Sequence, residues 1–357
     1  MLNNMKNIEF LITDHGFGHA SRNIPLIRYI LKSNEDIKII IKTGKAQGEF
    51  VSSNLEEFKD RIEYYFSPMD VGLILKEGSL DVDKEALDKK VREYIKSWDK
   101  KIEEERSFLK ENNINLVVSD IVPWVFKAAS LENVKAMLIS NFTWVDMYEK
   151  FLKDDIVKEY KKCYKKATKV LLYDFYMEGM KEYLTNYEEV GLCCRDFNLE
   201  TIEKIKKLND KKKVFISVGR SVDLEETIDV SSLDYYFIAT KGINLKGNNV
   251  KYLDIETKNT HEYLLACDYV ITKAGWGTLA ECLIGKKKIG VLKRDKVPED
   301  KNSIDILKKR NEALEISLEN FDLRDILKKL EEFTPNYKEY CYNNEYKTIV
   351  GKIVDYI

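Results

Sequence analysis

Short apolar runs rich in β-branched residues, each followed by a longer amphipathic stretch, recur along this chain. The runs are IEFLIT (8–13), IKIIIK (37–42), NLVVS (115–119), KAMLIS (135–140) and TKVLLY (168–173), then KVFISV (213–218), DYYFIA (234–239), VKYL (250–253), YVIT (269–272) and KIGVL (288–292). Most are apolar throughout rather than alternating, as parallel strands are when both faces are covered. Helical patterns occupy 21–33, 84–112, 123–132, 143–166, 260–266, 277–285, 300–310 and 319–332, and the segment after Pro335 reads as a Tyr- and Lys-rich helix. Strand–helix alternation on this scale predicts an α/β protein with doubly wound, Rossmann-like parallel sheets.

With 357 residues, two domains are expected. The charged stretch LCCRDFNLETIEKIKKLNDKKK (192–213) separates the two series of strands. It predicts an N-terminal domain over 1–195 and a second domain over 212–335, with a C-terminal helix over 336–357 packing back toward the first. Two such domains would face each other across a cleft at the carboxyl ends of their strands, where folds of this type bind ligands. The formal charge is −2, which argues against a nucleic-acid partner held by a strongly basic face. No apolar run approaches the ~20 residues that span a bilayer. The start, MLNNMKNIEFLIT, lacks a basic-then-apolar leader, so a cytoplasmic protein is expected. Six cysteines without a CxxC pair, and only three histidines, give no metal or disulfide framework.

Two loops carry the chemistry. The first, ITDHGFGHASR (12–22), follows the first strand and opens the first helix. Gly16 and Gly18 permit a tight turn and close approach of backbone to a donor ligand. His19, at the helix start, sits where the dipole disfavours an imidazolium, and a neutral imidazole there is a candidate general base. A dinucleotide loop of the GxGxxG type is the competing reading. Ser21 stands where its third glycine belongs, and the second strand ends in Lys42 rather than an acid for a ribose. His19 as a structural cap is a further alternative.

The second loop is CDYVITKAGWGTLAECLIGKKKIGVLKRD (267–295). Lys273, Gly275, Gly277 and Thr278 lie at a helix start, where backbone N–H groups and a hydroxyl make an anion site. Glu281, about one turn into the helix, can accept from ribose hydroxyls. Trp276 reads either as an acceptor wall or as packing. The first strand of this half runs into Ser217, Gly219 and Arg220; the arginine would clamp a diphosphate or simply be a solvated loop residue. Glu299 and Asp300 either hold sugar hydroxyls or serve as the acidic first turn of helix 300–310.

Together the loops resemble GT-B fold glycosyltransferases with an N-terminal GxGHxxR loop and a C-terminal GxGTxxE loop, the peptidoglycan GlcNAc transferase and its family 28 relatives among them. A closer resemblance is to the glycosyltransferase-like domain at the N-terminus of plant-type L-arabinokinases. It runs through DHGFGHASR (14–22), FSPMDVGLILKEGSLDVD (66–83), LVVSDIVPW (116–124), ISNFTWVDMYEKF (139–151), ITKAGWGTLAE (271–281) and LKRDKVPED (292–300). The resemblance implies that His19 is the catalytic base and that Gly277, Thr278 and Glu281 contact diphosphate and ribose. It also implies that Glu299 and Asp300 hold the donor sugar. Asp120 matches the acid that orients the base in related enzymes, with a helix cap before Pro123 as its alternative. Asn141, Thr143 and Trp144 would face the acceptor. His15 is an extra imidazole in the loop that would share or compete for the base role.

The expected activity is inverting transfer of a hexosyl or N-acetylhexosaminyl group from a nucleoside-diphosphate sugar, with UDP favoured by resemblance, to an acceptor hydroxyl not identified by the sequence. No metal or other cofactor is expected, since Asp81-Val82-Asp83 reads as a helix cap rather than a manganese site. A nucleotide-sugar hydrolase and a non-catalytic nucleotide-sugar-binding protein are the alternatives. The lysines of 149–166 read as a solvated face, with peripheral contact to an anionic membrane as the other possibility.

Overall fold

The computed structural model describes residues 5–77, 81–218, 224–254, 257–318 and 321–357. The chain divides into two compact units, Met1–Cys193 with Asn344–Ile357, and Cys194–Asn343.

The first unit runs β1 (Lys6–Ile12), α1 (Gly18–Ser33), β2 (Ile37–Thr43), α2 (Lys45–Asn54), β3 (Ile62–Phe66), α3 (Lys84–Lys96), α4 (Trp98–Glu111), β4 (Ile114–Asp120), α5 (Val125–Leu131), β5 (Lys135–Ser140), α6 (Trp144–Tyr148), α7 (Asp154–Tyr164), β6 (Lys169–Tyr173) and β7 (Tyr187–Val190). Its seven strands are parallel, in the order β3-β2-β1-β4-β5-β6-β7. The central strands are buried on both faces, so Ile8, Phe10, Leu11 and Ile12 of β1 and Leu116 and Val117 of β4 are fully inaccessible. The order reverses between β1 and β4, the switch point where loops diverge and leave room for a ligand.

The second unit runs α8 (Leu199–Lys206), β8 (Lys213–Ser217), β9 (Leu224–Asp229), β10 (Tyr236–Ala239), β11 (Ile243–Lys246), β12 (Val250–Tyr252), α9 (Thr260–Ala266), β13 (Tyr269–Thr272), α10 (Trp276–Ile284), β14 (Lys288–Leu292), α11 (Pro298–Lys309), β15 (Ala313–Ile316) and α12 (Leu323–Glu332). A six-stranded parallel sheet has the order β12-β10-β8-β13-β14-β15, and β11 pairs with β9 in a separate ribbon. Here the switch point lies between β8 and β13. Val214, Ile216, Phe237 and Ile271 form part of the core against Leu327 and Leu330 of α12.

The last helix, α13 (Tyr346–Val354), belongs to the first unit. Its entry is pinned by Glu345, whose Oε2 accepts from the Gly191 amide at 2.9 Å and whose amide donates to Leu192 O. Tyr346 meets Tyr29 of α1 edge to face, the centroids 5.4 Å apart.

Several expected elements change. The helix expected over 84–112 is two helices. The Ser97 hydroxyl folds back onto Tyr94 O at 2.6 Å, and Trp98 turns inward to meet Tyr160 with centroids 4.9 Å apart. The helix expected over 143–166 also breaks, because Lys153 is extended and Asp154 and Asp155 start a new helix with an acidic first turn. The helix expected after Pro335 occupies only Tyr346–Val354, and the charged stretch between the two series contains α8. Strands β3, β7, β9, β11 and β15 and helix α2 were absent from the sequence pattern.

Candidate active site

β1 ends in Ile12, beside Asp120 at the end of β4. The chain then turns through Thr13–Phe17 and enters α1 at Gly18. Gly16 has φ +79°, a left-handed conformation that strains any residue with a Cβ. Gly18 differs: a Cβ there would meet nothing within 4 Å, so its missing side chain leaves open space rather than relieving strain. No side chain caps α1, and its first N–H groups are left without that partner.

From Gly18 onward, His19, Arg22 and Asn23 fall at i, i+3 and i+4, one face of the helix. That face meets Asp120, which is 2 % exposed. His19 Nδ1 is 2.9 Å from Asp120 Oδ1. Arg22 donates to the same carboxylate through Nε at 2.8 Å and Nη2 at 2.5 Å, and Asn23 Nδ2 donates at 2.8 Å. Burial works against the Asp120 charge, but Arg22 and His19 outweigh it and hold the carboxyl well below the usual range. Arg22 Nη2 also lies 2.9 Å from His19 Nδ1. The guanidinium has no lone pair to offer and already donates to Asp120 and Ser140 Oγ, so the Nδ1 proton is directed to the carboxylate. With Nδ1–H donating to Asp120, Nε2 is the ring nitrogen that can accept a proton.

Arg22 is itself fixed. Its Nη1 donates to Asn141 Oδ1 at 2.7 Å, and its guanidinium lies 5.1 Å from the ring centre of Tyr173. The residue after Asp120 is Ile121, a fully buried β-branched residue at φ +66°, a strained conformation of the kind that clusters at functional turns.

His15 occupies a different setting. Its Nε2 is 3.1 Å from Asp70 Oδ1, which also accepts from Thr13 Oγ1 at 2.8 Å, while Asp70 Oδ2 accepts from Trp144 Nε1 at 2.7 Å. The ring stands edge-on to Trp144 with centroids 5.4 Å apart and packs against Gly72, where a Cβ would come within 2.5 Å of it. Burial disfavours its charge, but the bond to Asp70 and the field of Asp70 and Asp14 raise its pKa to about 9. His15 is therefore an imidazolium at neutral pH, unlike the neutral acceptor required of a base. Among the described residues, Asp14, His15 and Asp70 are the one group of metal-type ligands within 4.8 Å of one another. Asp70 is already committed to His15, Thr13 and Trp144, and Asp14 Oδ1 accepts from the Met69 amide at 3.2 Å. Asp83 caps α3 by accepting from Ala86 N at 3.0 Å.

Of the other acceptor-side candidates, Asn141, Thr143 and Trp144 are all buried. Asn141 holds Arg22, Thr143 caps α6 in a capping box with Asp146, and Trp144 holds Asp70.

In the second unit the candidates gather at its own switch point. Ser217 ends β8 beside Thr272 of β13, whose Oγ1 donates to Ser217 O at 2.9 Å. Lys273, Gly275, Gly277 and Thr278 are partly exposed, while Ala274 and Trp276 between them are buried. Gly275 is the N-cap of α10, with no side-chain cap. Glu281, one turn on, is 7 % exposed, and its Oε1 accepts from Arg195 Nη2 at 2.9 Å. Asp300 pairs with Arg294 Nη1 at 2.7 Å; burial raises its pKa against the pull of Arg294 and Lys273. Glu299 is half-buried in the same first turn of α11, so the pair does stand at a helix N-terminus. Gly219 and Arg220 lie outside the described residues.

Sequence reasoning missed Asn23, Asp70, Arg195 and Arg294, and gave Arg22 no role. The spacing from His19 could have found Arg22 and Asn23. Nothing local marks Asp70 or Arg195, whose partners are distant in sequence.

The two parallel-sheet units give this chain the GT-B fold of glycosyltransferases. Over nearly its whole length it superposes on UGT89C1 of Arabidopsis thaliana (TM-score 0.66, 12 % identity, 99 % of each chain), a protein also solved with UDP and with quercetin. It superposes likewise on the calicheamicin glycosyltransferase CalG4 (TM-score 0.63, 12 % identity, 99 % of this chain and 98 % of the other) and on MurG of Acinetobacter baumannii (TM-score 0.58, 11 % identity, 98 % and 99 %). In sequence it is similar to L-arabinokinase of Arabidopsis thaliana, 24 % identical over 307 residues. That match takes in 82 % of this chain but only 28 % of the arabinokinase. No family profile matches the sequence.

Proposed function

We propose that this protein is an inverting, metal-independent glycosyltransferase that moves a sugar from a nucleoside-diphosphate sugar to an acceptor hydroxyl. The observation that carries the reading is the His19–Asp120 pair. A buried carboxylate that accepts a hydrogen bond from Nδ1–H leaves Nε2 free to act as the base, and Arg22 keeps that carboxylate charged. Histidine Nε2 takes the proton of the acceptor hydroxyl as its oxygen bonds to the anomeric carbon. The bond from that carbon to the diphosphate breaks, and the electron pair leaves with the nucleoside diphosphate. Attack opposite the leaving group inverts the anomeric centre.

In this reading the first unit supplies the base and the second holds the leaving group. The N–H groups opening α10, the Thr278 hydroxyl and Lys273 would take up the charge that grows on the diphosphate, preorganised donors in place of a metal ion. Glu281 would hold the ribose, and Glu299 with Asp300 the sugar. A UDP-type donor is supported by the UDP complex of UGT89C1. His15, as an exposed imidazolium beside Trp144, would contact the acceptor rather than deprotonate it.

The test is release of nucleoside diphosphate from a panel of UDP-, GDP- and dTDP-sugars with and without pooled acceptors. Acceptor-dependent release supports the transferase. Release of free sugar at the same rate without acceptor would make the protein a hydrolase, and binding without turnover would make it a sensor.

A further inference from the structure

The segment that opens the second unit is tied to the candidate ribose site by one side chain. Arg195 is the second residue of that unit and is 5 % exposed. Its Nη2 donates to Glu281 Oε1 at 2.9 Å and lies 3.4 Å from Thr260 Oγ1, and its Nη1 donates to Lys258 O at 2.6 Å. Among the described residues its buried Nε has no hydrogen-bond partner. The next residues dock the same way: His261 Nε2 is 3.1 Å from Asp196 O, and the His261 ring stands 6.1 Å from that of Phe197. The guanidinium thus sits on a backbone carbonyl and a helix N-terminus on one side, and on a single carboxylate oxygen on the other.

A glutamate side chain has three rotatable bonds, and one that binds a sugar diol must have its carboxylate plane set in advance. Arg195 does this from behind. Its Nη2, with Nη1 held on Lys258 O, takes Oε1 and leaves Oε2, on a side chain that keeps 9 % of its surface open, as the oxygen offered to ligand.

We propose that Arg195 is a positioning residue that fixes Glu281 toward the ribose of a nucleoside diphosphate, and that the pair thereby sets a preference for ribose over 2′-deoxyribose. The inference rests on the donor site proposed above. Arg195 acts through Glu281 and does not touch the reacting atoms.

The experiment is titration calorimetry of UDP and of 2′-deoxy-UDP against the wild-type chain, Arg195→Met, Arg195→Lys and Glu281→Gln, with thermal unfolding of each. The wild type should bind UDP roughly tenfold more tightly than 2′-deoxy-UDP, the scale of one hydrogen bond to a charged group. Arg195→Met and Glu281→Gln should weaken UDP about tenfold, change 2′-deoxy-UDP little and so erase the preference. Arg195→Lys, which keeps the charge but not the fork, should fall between; it carries the comparison if Arg195→Met does not fold. In turnover the loss should appear in donor KM and not in kcat. Equal weakening of both nucleotides, or an unchanged preference in the folded Arg195 variants, overturns the inference while leaving the donor site standing. A wild-type chain that binds neither UDP nor any other nucleoside diphosphate overturns the donor site itself.

Discussion

His19 and Asp120, 101 residues apart in sequence, meet at 2.9 Å where α1 begins and β4 ends. Two rules of the fold bring this about. Parallel strands deliver their carboxyl ends to one edge of the sheet, and the switch in strand order makes β1 and β4 neighbours. Asp120 is thereby the common acceptor for a base, an arginine and an amide, and its charge is the part of the site on which the others depend.

Replacing Asp120 by Asn should separate the two roles of that charge. Arg22 would be left buried without its counter-ion, a loss of about 3–5 kcal/mol. The Nδ1 proton would lose its acceptor, so turnover should fall by ~10² or more even in protein that remains folded. The native carboxyl is held below its ordinary pKa, so its contribution to stability is complete above about pH 4 and is lost as pH falls through the depressed native value. Urea unfolding of wild type and variant across pH 3–7 should show a constant gap above about pH 4 that begins to narrow at the acid end.

The two histidines of the first loop should differ in role. His15 is raised to about 9. In NMR its imidazole should remain protonated at pH 7.5, and Asp70→Asn should bring its midpoint down toward the ordinary 6.5. Because the native pKa is the higher one, the stabilisation from this pair is fully present below about pH 6.5 and is lost as pH rises through about 9. A His15 that titrates near 6.5 in the wild type would contradict the assignment of the charge.

Gly16 and Gly18 look alike in the sequence and should respond differently. Gly16→Ala forces a Cβ into φ +79° and should cost roughly 1 kcal/mol or more in chemical denaturation. Gly18→Ala meets no protein atom and should leave the midpoint unchanged within about 0.5 kcal/mol. Activity lost in Gly18→Ala then measures how closely substrate approaches the backbone.

Lys42, at the end of the second strand, serves the core of the first unit. Its ammonium lies 2.7 Å from Glu9 and 2.7 Å from Glu105, against the ring of Phe108. Glu9 is fully inaccessible, and burial pushes its carboxyl up. Lys42→Met would leave two carboxylates facing each other without a cation. Denaturant titration should show a loss of about 3–5 kcal/mol, with no specific change in nucleotide affinity.

The central strands could be read because burial on both faces turns them into apolar runs, as IKIIIK and KIGVL show. β3 and β7 could not: IEYYF and YEEV lie at the sheet edges, expose one face and carry charge. The break at Ser97 depends on Trp98 finding Tyr160, a contact invisible to helical periodicity. In the site, glycines and a histidine after a strand advertised the loops, because tight turns demand those residues locally. Asp70 and Arg195 gave no such sign. Their partners are distant in sequence: Thr13, His15 and Trp144 for Asp70, and Lys258, Thr260 and Glu281 for Arg195.

The most direct measurement is single-turnover transfer by His19→Ala beside wild type, with donor affinity determined calorimetrically on the same samples. The account expects transfer slower by ~10²–10⁴ with affinity for the nucleoside-diphosphate sugar within about twofold of wild type. Near-normal transfer in His19→Ala would contradict it.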